Sequence, residues 1–200
     1  MLAQVVARGH NPSVGDGGSV WGDIFPQDPA SLQTACRQYR DPRYLRFITA
    51  MYGPPKDGGF NTFESLFHPP LEPSHAPTTG PTTHPALPPR LLDGYCMEIL
   101  NNPRDSIATA LYYGVISSHG HFDRLHFELF ANGHPMMPDL GYPDAMNEFV
   151  PGIFTWSKNT IAHNTVTVDA SRQHENVPGT AELFASGKFA RVMDVSANGT

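Results

Sequence analysis

The sequence predicts an α+β protein in which a short helical N-terminal piece precedes an antiparallel β-sandwich. Three observations point there. Apolar side chains recur at helical spacing over residues 29–51. From Leu91 onward, short apolar or alternating runs are punctuated by Gly, Pro, Asn and Asp, as in successive antiparallel strands. The 20 prolines and 18 glycines among 200 residues are too many for a helix bundle, whereas 40% hydrophobic residues are enough for a real core.

Residues 9–28 (GHNPSVGDGGSVWGDIFPQD) read as a glycine-rich loop, with Gly15, Gly17 and Gly18 around Asp16 favouring tight turns. No Lys-Ser/Thr follows, so a phosphate-cradling loop is a poor match. Asp28 caps a helix that starts at Pro29 and carries Leu32, Ala35, Cys36 and Tyr39 at helical spacing. Asp41-Pro42 opens a second helix with Tyr44, Leu45, Ile48 and Met51 on one face. Two such helices cannot bury both faces alone, so residues 1–52 are expected to be the remnant of a larger helical array.

Residues 53–90, rich in Pro, Gly, Thr and His, form a linker or exposed excursion that leaves His68, His75 and His84 in solvent. Strands are expected in LLDGYCMEIL, SIATALYYGVI, LHFELFA, HNTVTVDA and KFARVMDV, which places the sandwich at residues 91–200. The last run ends in Asn198-Gly199-Thr200, a turn signal with no partner strand behind it. An open sheet edge is a liability, so the sandwich is expected to be incomplete and the chain truncated at both ends.

A net charge of −6 and the lack of any basic run exclude nucleic acid as a natural partner. An acidic ligand would need a locally positive pocket. No apolar run approaches the roughly 18 residues of a membrane span. Met1–Ala7 lacks the length and basic flank of a signal peptide, which leaves a cytosolic protein or one whose true N-terminus lies upstream. Cys36 and Cys96 read as two unrelated thiols.

Chemistry concentrates in residues 117–143 (SSHGHFDRLHFELFANGHPMMPDLGYP), in residues 155–169 (TWSKNTIAHNTVTVD) and in the SRQHE stretch after them. On an extended chain His119 and His121 share one face, a common two-point grip for a divalent metal. Asp139 offers an oxygen ligand and His163 a further nitrogen, leaving one position for water. Each residue also has an ordinary reading: an incidental HxH, a turn-forming Asp139, a loop-bonding His163. Arg124, His126 and Glu128 fall on the opposite face and read as solvated, Trp156 as a packing residue, and Arg172, Gln173 and His174 as a turn.

The string HGHFDRLHFELFANGHPMMPDLGYP, followed by AHNTVTVD, resembles the signature of the heparinase II/III-like polysaccharide lyases over about residues 91–175. The resemblance implies an α/α toroid followed by an antiparallel β-sandwich, with residues 1–52 as the toroid's end. It implies cleavage of acidic polysaccharide by β-elimination, and a periplasmic, cell-envelope or secreted location. His121, Asp139 and His163 resemble the family's ligands to one zinc ion that organises the cleft, although an open coordination position alone would suggest a catalytic metal. His119 resembles the active-site histidine before the first ligand, and Tyr142 is placed by its LGYP turn in the same cleft. The family's catalytic tyrosine and the groups that neutralise the uronate carboxylate lie in the toroid, and Tyr39, Tyr44 and Tyr52 match no such motif. A cupin-like metal enzyme fits worse, because Glu128 lies seven residues after His121 in the wrong strand phase. A non-catalytic carbohydrate-binding or structural module stays open.

Overall fold

A computed structural model describes residues 12–15, 29–41, 44–45, 48–49, 87–102, 106–115, 119–141, 151–174 and 177–197. Asp16, Tyr142 and nearly all of the 53–90 segment lie outside these residues. The chain divides into two compact units, one holding residues 25–86 with Met1–Leu2, the other residues 3–24 with 87–200.

In the first unit, helix α1 (Pro29–Tyr39) forms where the apolar spacing and Pro29 place it. It ends at Arg40, whose backbone is left-handed (φ 50°) and whose N–H returns to the Cys36 carbonyl at 2.9 Å. Residues 44–45 and 48–49 are helical, and Cys36, Leu45 and Ile48 are buried. Cys36 and Cys96 are both free thiols.

The second unit is built on a five-stranded antiparallel meander, β1 (Arg90–Leu92), β2 (Met97–Asn101), β3 (Ile107–Tyr112), β4 (His126–Ala131) and β5 (His134–Met137). A second, two-stranded sheet pairs β6 (Thr180–Ser186) with β7 (Arg191–Ser196). Short connections favour this topology. Asn132 and Gly133 both take positive φ (53° and 85°), the two-residue turn that matches the twist of a hairpin. The last of the expected strands, β7, pairs with β6, which precedes it. HNTVTVDA does not form a strand: it contributes only a bridge between Val168 and Ser171. Asn164 and Thr165 there spend their side chains on the backbone of neighbouring segments, so the run cannot zip into a ladder.

The apolar core is small: Met97, Ile99, Ala108, Ala110 and Phe130, with Val14, Leu92 and Tyr112 against it. The register places His126 opposite Tyr112, Glu128 opposite Ala110 and Phe130 opposite Ala108. Directly opposed residues share a face, so His126 and Glu128 lie on the core face of the sheet. Together with Arg124 they are 1–2% exposed. The expectation of a solvated face for these three is therefore corrected. Strand β4 keeps its two-residue period, but its polar set points inward because other segments cover that face and supply polar partners.

Glu98 lies on the face of β2 opposite Met97 and Ile99, is fully buried, and has no hydrogen bond to either carboxyl oxygen. Burial, reinforced by Asp194 on β7, raises its pKa from 4.5 to about 7. The folded protein thus holds this proton more tightly than the unfolded chain. The stabilising contribution is full below pH 4.5 and is lost as pH rises through about 7. Glu98→Gln, neutral at all pH values, should exceed the parent's stability at pH 8 by on the order of 2 kcal/mol and match it below pH 4.5. Urea denaturation at both pH values measures the difference; an equal gap at the two would contradict this account.

Candidate metal centre

Three chain segments converge on the buried face beside β4. The first leads into the strand. His119 is exposed, whereas His121 is fully buried. Phe122 N–H donates to the Lys158 carbonyl at 2.9 Å, and His126 N–H to the Asp123 carbonyl at 2.9 Å. Leu125, at φ 59°, turns the chain into β4.

The second segment follows β5, where Asp139 accepts the Gly141 N–H on Oδ1 at 2.7 Å. The third follows the short helix Ile153–Ser157 and a 3-10 turn over Thr160–Ala162, with His163 as its closing residue. Asn164 clamps the three together. Its side-chain amide donates to the Met137 and Pro138 carbonyls at 3.2 and 3.1 Å, its N–H to His126 Nδ1 at 3.3 Å, and its carbonyl accepts from Phe127 N–H at 3.0 Å.

Ligand atoms of His121, Asp139 and His163 lie within 4.8 Å of one another, and all three residues are buried. The sequence reading and the structure thus single out the same three residues. Ligands about 2.1 Å from one tetrahedral ion stand about 3.4 Å apart, so a small side-chain adjustment closes the set. His163 Nδ1 and Asp139 Oδ2 are 2.6 Å apart, while the buried His163 Nε2 makes no hydrogen bond. A buried ring nitrogen of this kind needs an explanation, and a metal ion is one. Two imidazoles and a carboxylate suit a borderline divalent cation.

The electrostatics point the same way. Burial works against the Asp139 carboxylate, but the His163 bond, the neighbouring His126 and the Gly141 N–H hold its pKa below the ordinary value. Burial raises Asp123 and Glu128. Burial alone would lower His126, but Glu128, Asp139 and Asp123 raise it. Three carboxyl groups thus face the histidines in one interior, a potential that favours positive charge.

Residues 12–15 cap this interior. Ser13 N–H donates to Glu128 Oε1 at 2.6 Å, and Gly15 N–H to Asp123 Oδ2 at 3.1 Å. Sequence reasoning missed Asp123, His126, Glu128 and Asn164. The one signal for the carboxylates was their alternation with apolar residues in HFDRLHFELF, which a solvated edge shows equally well.

Residues 107–198 match the family described as heparinase II/III-like, C-terminal. This stretch belongs to that family. An alginate lyase of Stenotrophomonas maltophilia is 40% identical over 58 residues, covering 26% of this chain and 8% of its own length. An exo-oligoalginate lyase of Saccharophagus degradans is 35% identical over 72 residues, covering 32% and 10%. Among solved structures, a heparan sulfate lyase from Pedobacter heparinus superposes with a TM-score of 0.65 at 15% identity, over 97% of this chain and 26% of its own. A heparinase III gene product gives 0.64 at 15% identity, over 96% and 26%. At that identity the structural likeness shows a shared fold alone, over about a quarter of each of those chains. The chain spans a tenth or less of the length of these curated relatives and about a quarter of these solved structures. Among the described residues, no helix is long and apolar enough to cross a membrane.

Gly15 adopts φ +59°, and a Cβ there would stand 2.5 Å from the His119 carbonyl oxygen. Gly15→Ala should therefore cost at least about 2 kcal/mol, from left-handed strain and the clash together. An unchanged denaturation midpoint would show that the 12–15 segment does not pack under the HGH turn.

Proposed function

We propose that this chain supplies the metal-bearing β-domain of a polysaccharide lyase that cleaves uronate-containing acidic polysaccharide by β-elimination. The observation that carries the reading is the buried His121–Asp139–His163 cluster within the family-matched stretch. The curated matches to an alginate lyase and an exo-oligoalginate lyase support a uronate polymer as substrate. Such substrates lie outside the cytoplasm, so a periplasmic, cell-envelope or secreted protein is proposed with it.

In the reaction, a base removes the C5 proton beside the uronate carboxylate. The bond from C4 to O4 breaks, an acid protonates O4, and the electron pair remains as a C4–C5 double bond. His119 is assigned to proton transfer: it is exposed, lies two residues before the buried His121, and carries an imidazole, which can both accept and donate a proton. Tyr142, three positions after Asp139 in the sequence, is assigned to substrate contact. His121, Asp139 and His163 would hold one zinc ion, which when bound adds positive charge to the cleft and ties its three segments together. Asn164, His126 and Glu128 orient those ligands from behind. The remaining proton-transfer group and the carboxylate-neutralising groups are assigned to the helical portion of the lyase.

Metal analysis of untagged protein tests the site. The parent should carry about one zinc per chain, and His163→Ala should lose most of it. A well-folded, metal-free parent would remove the central constellation. In the lyase that contains this chain, His119→Ala should lower kcat by about 10²- to 10⁴-fold, read as slower appearance of the ultraviolet-absorbing unsaturated end, with zinc content unchanged. Binding of uronate polymer without any such product would favour a non-catalytic module instead.

A further inference from the structure

A cavity of about 370 Å³ lies between the Thr165–His174 loop and Arg124–Leu125. That volume suits a small-molecule site. None of the proposed metal ligands, nor His119, lines it.

Its walls are hydrogen-bonded in place. Gln173 grips both sides of residue 124: its Oε1 accepts the Arg124 N–H at 3.0 Å and its Nε2 donates to the Arg124 carbonyl at 2.9 Å. The Gln173 N–H donates to Thr160 Oγ1 at 2.9 Å, and Thr165 Oγ1 donates to the Arg124 carbonyl at 2.7 Å. The tip of the loop is a tight turn with positive φ at Asp169 (51°) and Ala170 (54°), closed by the Val168–Ser171 bridge. A site held this way loses little freedom when it binds.

The lining has two chemistries. Val166 and Val168 are 74% and 44% exposed and present an aliphatic surface. On the rim, the Arg172 guanidinium sits 4.7 Å from the centre of the Phe122 ring. Stacking fixes the guanidinium plane and leaves its N–H edge to take a carboxylate in two parallel hydrogen bonds. Phe122 adjoins His121, so this stack ties the cavity to the metal-bearing segment. His174 adds a ring nitrogen, and Asp169 and Ser171 offer oxygens. Aliphatic carbon for the C–H face of a ring, oxygens for hydroxyls and a planar cation for a carboxylate together describe one sugar acid.

We infer that this cavity is a second saccharide subsite, which holds one uronate ring with its carboxylate on Arg172 and its C–H face on Val166 and Val168. The inference rests on the uronate-polymer reading above and adds to it a subsite outside the metal centre. It also supplies the locally positive group that a chain of net charge −6 needs in order to hold an anion.

Calorimetric titration of the full chain with a mannuronate trisaccharide, and with a neutral glucose trisaccharide of equal length, tests it. The uronate trimer should bind and the neutral trimer should bind at least about tenfold more weakly. Arg172→Ala should weaken uronate binding by about tenfold or more, with zinc content unchanged. Val166→Asp, at an exposed position where folding is not at stake, should weaken it comparably and decides the matter if Arg172→Ala fails to fold. Uronate binding that neither variant weakens, or equal affinity for the neutral trimer, would overturn the subsite and leave the lyase reading standing. No uronate binding by the parent would overturn the subsite, while the lyase reading is decided separately by the zinc content and the unsaturated product.

Discussion

Asp139 and His163 meet at 2.6 Å in the interior, and the geometry around them depends on that contact. It joins the end of β5 to the turn after the 3-10 segment, two stretches that share no ladder. A buried carboxylate without such a partner would be strongly disfavoured. The clamp made by Asn164 and the Gly141 N–H on Asp139 Oδ1 hold the pair in place, and His121 completes the cluster from the segment that precedes β4. The segments must be in place together, because each supplies polar partners to the others.

This arrangement explains an otherwise odd feature of the sheet. Among the described residues its inner face carries five buried apolar residues, and on β4 the row continues into Glu128 and His126. An all-apolar face would bury more hydrocarbon, but it could not orient a polar site. Glu128 takes the Ser13 N–H and lies 3.4 Å from His126, whose other nitrogen faces Asp139 at 3.5 Å. A chain of polar contacts thus runs from the glycine-rich segment to the candidate ligands, positioning them from behind. The apolar part of the sheet stabilises the unit, and the polar part is given over to the site.

The candidate metal centre and the cavity beside it are two outcomes of one piece of local folding. The residues from Thr160 to His174 do not pair as a strand, so their side chains are available elsewhere. His163 turns inward to the cluster, Thr165 and Gln173 hold the backbone of Arg124, and Arg172 turns outward over Phe122. In a regular strand His163, Thr165 and Gln173, at even spacing, would line one face in a row and could not divide between the cluster and the backbone of Arg124.

Much was legible in the sequence. The helix at Pro29–Tyr39 and strands β2, β3, β4 and β7 follow from apolar period and turn residues, which are local properties. The grouping of His121, Asp139 and His163 was legible because the donor types are distinctive and the surrounding string resembles a known family. Strands β5 and β6 were missed: HPMM is short and exposed, and the half-exposed β6 shows no clean alternation. HNTVTVDA has strong strand propensity, yet Asn164 and Thr165 bond to neighbouring segments and override it. Above all, the sequence determined the two-residue period of HFELFA but not which face looks inward. That was decided by residues 12–15, more than a hundred positions away, whose N–H groups meet Glu128 and Asp123. Period is a property of the strand itself, whereas the sign of a face depends on what covers it, and only the tertiary structure brings that cover into place.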